Sequence, residues 1–136
     1  MALKIRVIRE EDYEQIEKWL EKWNQKIMPK NYYPETGLML YDDENNEPIY
    51  CGYVWVTNSK TYPIGCITRN PFYKMKNRNK QTLKNFIDAL ISYANDLGAE
   101  YVMSWAESEY LKKDFRELGF AETSTKCSEF RGQIIK

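Results

Sequence analysis

Histidine is missing from all 136 residues. That removes Ser-His-Asp and Cys-His nucleophilic catalysis and the commonest zinc ligand, so no metal site is expected. Cysteine is scarce. Cys51, Cys66 and Cys127 are far apart, odd in number and form no CxxC pair. This pattern predicts reduced, mostly buried thiols in a cytoplasmic protein, not a disulfide framework. Long apolar runs are absent, and the N-terminal residues hold no signal-peptide-like apolar block, so neither a membrane span nor a secretory leader is expected. Net charge is absent too, with 20 Lys plus Arg against 20 Asp plus Glu. Nothing global points to a nucleic-acid or membrane partner.

The charge that is present is unevenly spread. Arg69 to Lys84 holds six basic residues and no acidic one, leaving 14 basic against 20 acidic groups elsewhere, a net −6. A basic patch on an acidic body suits a small polyanion, such as a nucleotide-containing cofactor, better than a duplex. Within the patch, Lys74, Lys76, Arg78 and Lys80 stand at every second position. They lie between a strand-like run and an amphipathic helix. Such junctions hold phosphate, because a helix start offers unpaired N–H groups and the positive end of its dipole. Aromatic residues make up 15% of the chain, with 11 Tyr and 4 Trp. They imply either heavy core packing or an aromatic-walled cleft.

Periodicity supplies the elements. Alternation predicts a strand over Leu3 to Arg9, and a stripe of Tyr13, Ile16, Trp19, Leu20, Trp23 and Ile27 predicts a helix over 11–27 that Pro29 ends. Gly37 to Tyr41 and Pro48 to Thr57 read as a β-hairpin around an acidic turn. In the second strand Ile49, Cys51, Tyr53 and Trp55 share one face. Thr61 to Arg69 reads as a strand whose Pro63 and Gly65 imply an edge or a bulge. The i, i+3, i+4, i+7 rhythm from Leu83 to Leu97 predicts a helix over 81–97, stopped by Gly98. A strand over Glu100 to Ala106, a helix over Glu109 to Leu118 stopped by Gly119, and one or two closing strands over Ala121 to Ile135 complete a single domain spanning 1–136.

That order resembles the GNAT superfamily of N-acetyltransferases. Asn70-Pro71-Phe72-Tyr73-Lys74 is similar to the family's entry into its acetyl-CoA pyrophosphate loop. Leu97-Gly98-Ala99 and the strand after it look like the family's helix stop and fifth strand. Phe115-Arg116-Glu117-Leu118-Gly119-Phe120 looks like its terminal Tyr-x-Lys-x-Gly-Phe. The resemblance implies an α+β, three-layer fold: a mixed, mostly antiparallel central sheet with helices on both faces. It implies acetyl-CoA as cosubstrate and a small-molecule or peptide amine as acceptor, acetylated by direct attack. A homodimer is a further expectation, since the family often dimerises. Backbone groups of Ile67, Thr68 and Arg69 would face the pantetheine arm. Lys74, Lys76, Asn77, Arg78, Asn79, Lys80 and Thr82 would hold the pyrophosphate and the 3′-phosphate. Glu107 would serve as base for the amine, its plainer role being a charge in the first helical turn. Ser108, at the family's frequent Asn position, would bond an amide or cap its helix. Trp19, Trp23, Tyr32 and Tyr33 would wall the acceptor site or pack as core and rim.

Two departures stand against that picture. The family's loop glycines fall on Met75, Asn77 and Asn79. Asparagine is the next most tolerant residue for left-handed backbone, at about 1 kcal/mol each. The family's thiolate-protonating tyrosine falls on Phe115, which has no proton to give, and Tyr110 lies on another face of the same helix. These departures also fit a catalytically inactive module of this fold that binds a protein partner. A nucleic-acid contact at residues 69–84 fits less well, given zero net charge and a single basic face.

Overall fold

The structure is a computed structural model that describes residues 3–74, 81–106 and 108–134. Five strands form one sheet in sequence order: β1 (Leu3–Val7), β2 (Gly37–Asp42), β3 (Glu47–Val54), β4 (Thr61–Arg69) and β5 (Tyr101–Met103). The first four are antiparallel neighbours, and β5 runs parallel to β4. Helix α1 (Asp12–Lys22) covers one face, and α2 (Gln81–Asp96) and α3 (Glu109–Glu117) cover the other. The fold is thus the expected three-layer α+β arrangement.

Helices cover both faces at the centre of the sheet. Ile16, Trp19 and Leu20 of α1 pack on Met39, Cys51 and Tyr53. Phe86, Ile87, Leu90 and Ala94 of α2 pack on Leu38, Ile49, Tyr50, Val54 and Ile64. Strand β3 is therefore buried almost throughout, as a central strand between two helical layers must be.

Among the described residues, each of the α-helices α1, α2 and α3 ends in a Schellman motif. In α2, Gly98 takes φ +115° while Ala99 N–H donates to Ala94 O, and in α3 Gly119 takes φ +90° while Phe120 N–H donates to Phe115 O. In α1 the left-handed residue is Asn24, at φ +56°, with Gln25 N–H donating to Leu20 O at 2.8 Å. The helix therefore stops well before Pro29, correcting the expectation of a helix to residue 27. Trp23 and Ile27 consequently leave the apolar stripe and are exposed.

Two bulges set the sheet's phase. Between β2 and β3, Leu40 pairs with Tyr50 but Tyr41 pairs with Pro48, so Ile49 is extra. Pro48 brings no N–H to the ladder. The bulge turns Ile49 to the α2 face beside Tyr50, away from Cys51 and Tyr53. This corrects the single-face alternation. Between β3 and β4, Cys51 pairs with Thr68 and Tyr53 with Gly65. The extra residue lies at Cys66–Ile67, with Cys66 at φ +51°. The bulge expected in this strand is present, and β4 is paired on both sides only as far as Pro63, where β5 ends.

The closing strands over Ala121 to Ile135 do not form within the described residues. From 121 to 134 the chain takes neither helix nor strand and is almost wholly exposed. The pattern of that segment alternates too weakly to bury a face, and Gly132 lies in open space.

Candidate functional site

The feature that opens a site is the parting of β4 from β5. The two strands pair only over Thr61–Pro63 and Tyr101–Met103. Beyond that point a side chain replaces the ladder: Ser104 Oγ donates to Ile64 O at 2.6 Å. The Trp105 ring then lies against Gly65, two of its carbons 2.6 Å from where a Cβ would sit. One residue later comes the Cys66 bulge. From Gly65 onward β4 thus has no partner strand on this side among the described residues, and the ladder opens there with Trp105 against it.

The turn after β4 is pinned from beneath by Asn70. Its backbone N–H donates to Ile49 O at 2.7 Å and its Nδ2 donates to Pro48 O at 2.7 Å, satisfying both carbonyls of the first bulge. Its Oδ1 accepts from Phe72 N–H at 2.9 Å. Asn70 is only 2% exposed. Tyr73 then donates its hydroxyl to Asp42 Oδ2 at 2.9 Å. Burial, and after it the Asp42 carboxylate, pushes the Tyr73 phenol up to about 12, so the donor stays protonated. The Asn-Pro-x-Tyr segment is therefore an anchor for whatever the chain does next.

The chain beyond Lys74 leaves the described residues. Lys76, Asn77, Arg78, Asn79 and Lys80, with Met75, lie outside them, as does Glu107. Lys74 is exposed at the near end of the loop and Thr82 is buried at the far end, in the first turn of α2. Thr82 Oγ1 has no hydrogen-bond partner among the described residues. A buried hydroxyl without a partner is costly. It stands at a helix start, where the dipole favours an anion. Among the described residues no group of His, Cys, Asp and Glu is placed to hold a metal, and no helix is long and apolar enough to cross a membrane.

The three expected pantetheine residues are brought together on β4. Ile67 turns its side chain toward the α2 layer, and the Thr68 hydroxyl turns back to Cys66 O at 3.2 Å. Arg69 is committed elsewhere: its carbonyl accepts from Trp23 Nε1 at 2.8 Å, and its guanidinium lies 5.2 Å from the Trp23 ring centroid. Ser108 caps α3, its Oγ accepting from Leu111 N–H at 3.4 Å. Phe115 packs on Phe120 with ring centroids 4.9 Å apart, and Tyr110 is three-quarters exposed to solvent, as its helical phase implies.

On the α1 face an aromatic wall runs beside the bulge. Tyr33 stacks on Tyr53 at 4.9 Å, Tyr53 leans on Trp55 at 6.0 Å, and Trp55 meets Trp105 at 5.9 Å. Tyr32 stands edge-on to Tyr33 at 5.2 Å. Of the four residues offered as acceptor walls, Tyr32 and Tyr33 belong here. Trp19 is core and Trp23 is surface. The Tyr33 hydroxyl is buried without a hydrogen-bond partner among the described residues, while the Tyr53 hydroxyl meets Tyr13. Burial pushes Tyr33 up to about 12 and Tyr53 further upward, so both remain donors. Burial also raises the Cys66 thiol to about 11 and Cys51 to about 12. Neither is a thiolate at neutral pH, which disfavours a covalent thioester at these two positions. Cys127 is exposed, against the expectation of mostly buried thiols.

One residue that no sequence signal marks also reaches this wall. Arg131, from the C-terminal segment, places its guanidinium 5.7 Å from the Tyr32 ring centroid and its Nη2 3.7 Å from Cys66 Sγ.

No family model matches the sequence, and no curated protein matches it. Solved structures do. Glucosamine-6-phosphate N-acetyltransferase from Arabidopsis thaliana aligns with a TM-score of 0.69 over 96% of this chain and 99% of that one, at 14% identity. An acetyltransferase from Trypanosoma brucei aligns with a TM-score of 0.68 over 96% and 100%, also at 14% identity. The chain has the GNAT fold. N-acetylglutamate synthase from Neisseria gonorrhoeae, solved with coenzyme A and L-arginine, shares it over 90% of this chain and 28% of that longer one, with a TM-score of 0.69 and 14% identity. At such identities the likeness is one of architecture.

Proposed function

We propose that the protein is an acetyl-CoA-dependent N-acetyltransferase that acetylates an amine by direct attack. The observation that carries this reading is the parting of β4 from β5, together with the bulge at Cys66 on β4 and the buried, unpartnered Thr82 hydroxyl in the first turn of α2. The GNAT fold supports it. The β4 backbone from Gly65 to Thr68 would hold the pantetheine amides. Thr82, Lys74 and the bases of the following loop would hold the pyrophosphate. Lys76 and Arg78 would act as point charges, compensating for the glycines the loop lacks.

Glu107 would take a proton from the ammonium form of the acceptor. The amine lone pair then forms the N–C bond to the thioester carbonyl carbon, and the nitrogen gives up its second proton to water. The carbonyl reforms as the C–S bond breaks, releasing CoA as thiolate. With Phe115 at the acid position, that thiolate takes its proton from water. The missing acid costs rate, typically about 10²- to 10⁴-fold, without abolishing the reaction.

Thiol release from acetyl-CoA in the presence of a panel of primary amines tests the reading. Amine-dependent release is expected, falling at least about tenfold in the Lys76→Ala/Arg78→Ala protein, equivalent to losing about 1.4 kcal/mol of transition-state binding. Absence of release with every amine, together with no binding of acetyl-CoA, refutes it.

A further inference from the structure

The C-terminal segment is held to the body by very little. Residues 121–134 form neither helix nor strand, and every one of them except Arg131 is exposed, Phe130 at 92% and Ile134 at 84%. Among the described residues, none of them makes a backbone–backbone hydrogen bond to the rest of the chain. Polar and ring contacts tie the segment at its two ends. At the start, Glu122 accepts from Arg116 of α3 at 2.8 Å, on the surface. Near the far end Arg131 turns inward, its side chain only 15% exposed. Its guanidinium lies 5.7 Å from the Tyr32 ring centroid, and its Nη2 donates to Cys66 Sγ at 3.7 Å. Glu129 accepts from Arg131 Nε at 2.7 Å, but it belongs to the same segment and adds no hold on the body. The grip is therefore one cation–π contact and one long hydrogen bond to sulfur, both weak. Ordering the segment costs chain entropy that so slight a fastening barely offsets. An open form thus lies close in free energy. The fastening falls on the α1 face of β4, at the bulge, one residue beyond the Gly65 on which Trp105 rests.

We propose that residues 121–134 are a strap, latched by Arg131 across the Cys66 bulge, which opens and closes the α1 side of the parted strands. Latched, Arg131 covers the Cys66 thiol and one side of the Tyr32 ring. Released, both face water. The strap goes beyond the transferase reading and does not depend on it. Under that reading it governs entry of the acceptor amine to the aromatic wall.

Cys66 is the reporter. Cys51 is fully buried and Cys127 is exposed on the strap itself. In full-length Cys127→Ser protein, without acetyl-CoA, labelling of Cys66 by iodoacetamide at one fixed pH is followed by peptide mass. Adding Arg131→Ala should raise its rate at least about fivefold, the weight of a cation–π contact. Tyr32→Leu, which removes the ring and leaves the arginine, should raise it too. The double variant should label no faster than Arg131→Ala alone, because both changes break one latch. The direction is diagnostic. The Arg131 charge lowers the Cys66 pKa, so losing the cation alone leaves less thiolate and slows labelling. Only uncovering the sulfur speeds it. Cys51 should stay unlabelled throughout, which separates strap release from global unfolding. Unchanged or slower Cys66 labelling in Arg131→Ala overturns the proposal, as does acceleration in which Cys51 keeps pace. Acetyl-CoA takes no part in the assay, so its failure to bind would sink the transferase reading and leave the strap standing.

Discussion

Single side chains fix the geometry on which the site depends. Asp12 joins β1 to α1: its carboxylate takes Arg6 Nη1 and Nη2 at 2.7 and 2.8 Å and Arg9 N–H at 2.7 Å. Burial works to raise its pKa, but the Arg6 pair and the Arg9 N–H outweigh burial and hold it below the usual carboxylate value. A depressed pKa means that the folded state favours the ionised form. The resulting stability is fully present above the unfolded value near about pH 4 and is lost as pH falls through the folded value. Asp12→Asn should lower unfolding free energy by about 2–3 kcal/mol at pH 7, and urea titrations should show the gap to wild type closing at acid pH. A gap that persists at pH 2 would refute the assignment. Asn70→Ala should cost about as much, since it strands the carbonyl of Pro48 and frees the N–H of Phe72. It should also weaken acetyl-CoA binding, because the loop beyond Lys74 loses its anchor. Stability loss with unchanged acetyl-CoA affinity would separate the turn from the site.

Elements show where the sequence could be read and where it could not. The long apolar rhythm of α2 and the glycine stops of α2 and α3 gave those helices to within a residue. The order of the five strands was likewise legible, because alternation and turn residues are local signals. The end of α1 was not, since an asparagine in the left-handed conformation does the work of glycine and leaves no distinctive mark. The phase of β3 was not, since a bulge at Ile49 depends on carbonyls captured by Asn70, more than twenty residues later. Arg131 was invisible for the same reason: its partners, Tyr32 and Cys66, are distant in sequence. The loop 75–80 and Glu107, which the sequence marked most strongly, lie outside the described residues. The parting of β4 and β5 has its own test. Gly65→Ala drives a methyl into the Trp105 ring. It should cost about 1–3 kcal/mol by overpacking and shift tryptophan emission to longer wavelength as Trp105 is displaced. Unchanged emission with unchanged stability would mean that this ring does not rest on β4.

At the scale of the whole molecule, the sheet puts two different environments back to back. The α2 face is a hydrocarbon core of Ile49, Ile64, Phe86, Ile87 and Leu90. The α1 face carries buried phenols and thiols that keep their protons. Between these environments the β4–β5 ladder opens beyond Pro63 and Met103. Filling that opening should stabilise the fold through mass action: acetyl-CoA at 100 times its Kd adds about 2.7 kcal/mol to unfolding free energy. The most direct test is isothermal titration of acetyl-CoA into the purified protein. The account predicts saturable one-to-one binding, with a Kd between about 1 μM and 1 mM, the range of ordinary substrate constants, and weaker binding in Lys76→Ala/Arg78→Ala. No saturable heat at millimolar acetyl-CoA from a protein that remains folded would contradict it.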